Sequence, residues 1–284
     1  MKKTVQVAAI ATALSGMVIS PLFASAEGEE PKEESKSINY GSEGVVAFKS
    51  NDGGEPTPPV DPTDPDPEKP VNPIDPVDPE DPNKPGQGTG GPLSLDFASS
   101  LNFGTNNKIT TKDVTYYANA QKIVDKADNS KSKYVPNYVQ ISDNRGTNAG
   151  WKLTVKQEGQ FSNDDAGTLN KTLKGAVIKF SDPKISGQTG TEEAKPTAAK
   201  DIVLVPGDAS DVMSAEKGKG AGLWVNLWGE KTEEMTDDDG KKVQKNKAIT
   251  LFVPGSTQKD AVRYSTKLTW NLSDVPNNSE ESKE

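Results

Sequence analysis

The chain of 284 residues has no cysteine and no histidine, and only 6% of its residues are aromatic. Without histidine there is no imidazole base near neutral pH and no Ser-His-Asp triad. Without cysteine there is no thiolate nucleophile, no disulfide and no thiolate zinc site. Hydrophobic residues make up 32% of the chain, against roughly 45–50% in globular domains, so part of it is not expected to build a core. No basic surplus offsets the net charge of −9, and nothing points to nucleic acid. Scattered Asp and Glu single out no pair for glycoside hydrolysis. Asp164-Asp165 and Asp237-Asp238-Asp239-Gly240 do not follow the ligand order of a calcium loop and read as solvated turns. The expectation is a non-enzymatic protein with no cofactor and no metal.

What is present divides the chain. Lys2 and Lys3, the apolar run Val5 to Ile19 and the small residues Ala24-Ser25-Ala26 read as a cleavable signal peptide over 1–26. No later stretch approaches the ~18 apolar residues of a membrane helix, so no membrane span is expected after cleavage. Residues 277–284 are a polar tail, with no sortase-type sequence. Residues 27–55 are acidic, with one apolar stretch, Val45-Val46-Ala47-Phe48, that is expected either to be disordered or to pair with a sheet edge. From 56 to 91, prolines recur at nearly every third position, usually after Asp, Asn or Lys. That period matches polyproline II and predicts a semi-rigid spacer of roughly 90 Å. Residues 27–91 carry 16 acidic and 5 basic side chains, whereas 92–284 carry 26 of each. The net negative charge is thus confined to the N-terminal part, and the rest is neutral overall.

From Pro92 to Pro276 the pattern is β. Leu93, Leu95 and Phe97 alternate with polar residues, as do Trp151, Leu153 and Val155. Val262, Tyr264, Thr266, Leu268, Trp270 and Leu272 share one face of a predicted long strand. Segments 177–180, 202–205, 223–228 and 249–253 are denser in apolar residues and read as strands buried on both faces. Gly-, Asp- and Pro-rich turns separate these segments. The fold class is all-β, an antiparallel sandwich or barrel, with one short helix possible over Lys112–Lys126.

Two triplets carry the functional question: Trp151-Lys152-Leu153 and Trp270-Asn271-Leu272. In a strand, the first and third residues of each point the same way, so each presents an indole beside an isobutyl group. These four apolar side chains either pack the core or line a groove for a partner. Trp224 and Trp228 also share a face, as an aromatic platform for sugars or as core. Tyr116, Tyr117, Tyr134 and Tyr138 are open to the same two readings.

The sequence resembles the WxL-domain surface proteins of low-GC Gram-positive bacteria. The residues that carry the likeness are Gly90-Gly91-Pro92-Leu93-Ser94-Leu95-Asp96-Phe97, and Tyr138 to Gly146 leading into Trp151-Lys152-Leu153-Thr154-Val155. Leu268-Thr269-Trp270-Asn271-Leu272-Ser273-Asp274-Val275-Pro276 and the Asp-Pro-rich stretch complete it. The resemblance implies non-covalent attachment to peptidoglycan or another wall polymer at the extracellular cell-wall surface. It also implies partners among surface proteins of the same gene cluster, and Trp151, Leu153, Trp270 and Leu272 as the motif positions. The rival implication is a module that docks on a membrane- or wall-anchored surface protein.

Overall fold

The computed structural model describes residues 40–274, apart from 52, 79, 82–84 and 188–190. The expected leader at 1–26 and the tail at 277–284 lie outside the described residues. The chain divides into two units, 1–46 and 47–284. Of the first, residues 40–46 are exposed and without secondary structure. Val45, Val46 and Phe48 are 93%, 75% and 91% exposed, so the apolar stretch there takes no strand partner.

The second unit is all-β and antiparallel, as expected, and strands are numbered here in chain order. A central sheet runs β2 (Leu93–Ala98), β6 (Tyr138–Asp143), β13 (Gly222–Trp228), β9 (Pro183–Gly187). A second runs β10 (Thr197–Ala198), β12 (Ala209–Ala215), β7 (Trp151–Gln157), β16 (Leu268–Ser273). A third runs β11 (Ile202–Val203), β8 (Val177–Phe180), β15 (Lys242–Val253), β14 (Glu233–Thr236), and β3 (Val114–Asn119) also pairs with β15. A small sheet runs β1 (Val71–Ile74), β4 (Gln121–Asp125), β5 (Ser132–Val135).

Two cores lie on opposite faces of the central sheet. The larger joins Val139, Ile141, Trp224 and Trp228 to Trp151, Leu153 and Val155 of the second sheet and to Ile178, Phe180, Ile249 and Leu251 of the third. The smaller joins Tyr138, Leu223, Val225 and Leu227 to Val60, Val71, Ile123 and Val135. Because successive strand side chains face opposite ways, a strand between two cores buries both of its faces. β13 does so from Leu223 to Trp228, with Asn226 the one polar residue of that run. The other three segments expected to be buried twice alternate instead: Val203 and Val205 are 52% and 54% exposed, and Phe252 is 37% exposed. Their sheet has a core on one side only.

Three further expectations change. Lys112–Lys126 holds no helix; it forms β3 and β4, which put Ala118 and Ile123 into the two cores. Among the described residues the single helical turn is a 3-10 turn at Glu192–Ala194. The expected long strand 262–272 is regular only from Leu268; ahead of it Ser265 bridges Ser162, and Val262 is 39% exposed.

The proline-rich stretch is the largest difference. In place of a free extended spacer, Val60 is 1% exposed and β1 pairs with β4. The reason lies in the residues before the prolines. The carboxylates of Asp61, Asp66 and Asp75 accept the amide N–H two residues on, from Thr63, Glu68 and Val77, at 3.0, 3.0 and 2.8 Å. Each Asp-Pro-x is therefore an Asx-turn, which bends the chain where polyproline II would extend it. Pro73 sits in β1 at the edge of its sheet, where a missing N–H costs least. Gln140 of β6 holds this strap by accepting from Val60 N–H at 2.8 Å and donating to the Pro58 carbonyl at 3.1 Å.

Candidate functional site

The two Trp-x-Leu triplets are brought together. β16 pairs with β7 so that Trp270 faces Val155 and Leu272 faces Leu153. All four motif side chains therefore point to the same side of the second sheet, toward the larger core. Their surroundings differ. Trp151 and Leu153, on an inner strand, are fully buried. Trp270 and Leu272, on the edge strand, are half-buried and pack on the core's margin. Trp270 lies 6.2 Å from the Trp228 ring, which in turn lies 4.7 Å from Phe180. The rim is thus continuous with the core.

The segment entering β7 is built to seat Trp151. Its indole N–H donates to the Gly220 carbonyl at 2.9 Å. Gly220 has φ +76°, and a Cβ there would fall 2.3 Å from the Ala215 Cβ and 2.6 Å from the Trp151 indole nitrogen. Only glycine fits such a conformation and approach. Arg145 grips both carboxylate oxygens of Asp143 at 2.8 Å and donates to the Gly150 carbonyl at 2.8 Å. Such a fork is the strongest common ion-pair geometry, and the paired carboxylate holds the Arg145 guanidinium above its usual range. Asp143, Arg145 and Gly150 therefore act as scaffold for the motif.

Burial decides between the two sequence readings for four residues. Trp151 and Leu153 have no surface to offer a ligand, and neither have Trp224 and Trp228, at 3% and 2% exposure. Of the two readings of Trp224 and Trp228, platform or core, the structure takes core: both indoles face inward from β13, into the space shared by three sheets. Of the named positions, Trp270 and Leu272 alone reach the surface. Among the tyrosines, Tyr138 is buried and Tyr116 packs on the core, while Tyr134 is 48% exposed. Tyr117 points outward from β3, because it pairs with Thr250 between the inward residues Ile249 and Leu251.

The site's surface groups are apolar side chains and backbone. The rim offers an indole face, an isobutyl group and the unpaired backbone edge of β16, which hydrogen-bonds as a strand only to β7 among the described residues. The same residues contain no cluster able to hold a metal ion. The turn Asp237–Gly240 is occupied from within: Asp238 accepts from Lys108 N–H at 2.7 Å and Asp239 from the Asn106 amide at 2.6 Å.

The sequence profile of the WxL domain, described as surface cell wall-binding, matches residues 35–276. No curated protein and no solved structure matches the chain. The matched region takes in the Asp-Pro strap as well as both Trp-x-Leu strands, which agrees with a strap folded onto the sheets. The chain belongs to the WxL domain family of surface cell wall-binding proteins.

Proposed function

We propose that this protein is an exported, non-enzymatic attachment module of a Gram-positive cell surface that binds peptidoglycan directly through its β-domain. The observation that carries the reading is the match to a cell wall-binding domain over 35–276, together with a half-exposed Trp270–Leu272 rim continuous with the core. Attachment is non-covalent and rests on apolar and hydrogen-bonding contact. The reading of a signal peptide at 1–26 supports export. Retention of the full mature chain on peptidoglycan stripped of protein is the direct test. Binding there is the expected result. Binding only to walls that keep their proteins would replace this reading with docking on a wall-associated surface protein.

A further inference from the structure

We propose that the outer face of the third sheet is a platform for the glycan strands of the wall, an inference that rests on the wall-binding reading above. The face is assembled by register. Val203 of β11, Lys179 of β8, Thr250 of β15 and Tyr117 of β3 form one cross-strand row. Val177, Phe252 and Thr115 form the next. Their neighbours Ile178, Ile249 and Leu251 point into the core, so by strand alternation both rows face out. Adjacent strands lie about 4.8 Å apart, which makes the four-residue row about 14 Å wide.

Such a face is unusual in what it exposes. Val203 and Val205 are more than half exposed and Phe252 is 37% exposed, where a solvated face would carry charged residues. Exposed apolar side chains gathered on one face point to an interaction site. The apolar residues are interleaved with the hydroxyls of Thr115, Thr250 and Tyr117. An aromatic ring has a negative face that attracts the weakly positive C–H faces of a sugar, while its hydroxyls meet the threonines. The charges nearby are balanced: Lys179 pairs with Asp201 at 3.7 Å, and Lys247, 6.0 Å from the Tyr117 ring centroid, pairs with Glu233 at 2.6 Å. A neutral surface of mixed apolar and hydroxyl groups fits an extended polysaccharide better than a charged polymer or peptide.

Phe252→Thr and Tyr117→Thr keep a β-favouring residue and leave the core untouched. The full mature chain and both variants are titrated onto protein-free peptidoglycan, with peptide-free glycan strands or free stem peptides as competitors. The expected result is that each variant binds about tenfold or more weakly at an unchanged unfolding midpoint, and that glycan strands compete. Parent-like binding by both variants overturns the platform while leaving the wall-binding reading intact. Competition by stem peptides alone overturns the choice of glycan. Failure of the parent to bind peptidoglycan overturns both.

Discussion

Trp151 and Trp270 stand in identical triplets but in unequal surroundings, and the difference sets what each can do. Trp151 is fully enclosed and hydrogen-bonded to Gly220. Trp151→Ala is expected to cost about 3–5 kcal/mol through the cavity it leaves, seen as a lower urea midpoint. Trp270→Ala removes a half-buried ring and is expected to cost about 1–2 kcal/mol, leaving a folded domain whose wall retention is then measurable. Asp96 is a different kind of residue. It is 2% exposed and accepts from Ser94, Ser142 and Gln140 at 2.5, 2.6 and 3.1 Å. Burial pushes its carboxyl up to about 6, against the downward pull of those three donors. Its side chain enters this network because β2 shifts register between Leu95 and Phe97, leaving Asp96 as the extra residue of a bulge. The folded state therefore binds a proton more tightly than the unfolded state does. Stability from this group is full below about pH 4 and is lost as pH rises through about 6, by on the order of 3 kcal/mol. Denaturation of Asp96→Asn should lack that part of the pH dependence; an unchanged profile would refute the assignment.

At the scale of the element, the Asp-Pro strap acts as a cover. It supplies Val60 and Val71 to the smaller core and is tied down by Gln140 and by the ion pair of Asp61 with Lys133. Without it, Tyr138, Leu223, Val225 and Leu227 would lose their cover on that face of the central sheet. Val60→Ala is expected to destabilise by about 1.5 kcal/mol or more, measurable by thermal or urea unfolding. A chain beginning at Pro92 is expected to bind hydrophobic dyes and to aggregate where the chain beginning at residue 40 does not. Equal behaviour of the two would mean that the strap is dispensable. The edge strand β16 is the other element with consequences. Its edge position, with β7 its one strand partner among the described residues, places the second triplet at the surface, whereas β7, flanked on both sides, hides the first.

For the whole molecule, charge is uneven along the sequence, and the acidic strap is folded onto the sheets rather than held apart from them. Acidic side chains are concentrated before Pro92, and the remainder is balanced. Contact made by a neutral surface is weakly screened, so retention on purified walls should change little between low and moderate salt; release by moderate salt would contradict it. The all-β class was legible because period-two hydrophobicity reports a strand with one buried face, as at Leu93–Phe97 and Trp151–Val155. So was the double burial of β13, from an apolar run broken only by Asn226. Pairing of the two triplets was not legible, since register between strands more than a hundred residues apart is a long-range property. Nor was the fate of the four indoles: an alternating strand declares that one face is covered, but not whether its neighbours on both sides complete the cover. The prolines misled for a related reason. Their spacing reports local stiffness, while the Asx-turns and the apolar surface waiting on the central sheet decided where that stiff chain would lie. Local chemistry therefore determined the strands and their inward faces. Burial, and with it the division between scaffold and contact surface, came from the tertiary structure, because it depends on which elements meet across space.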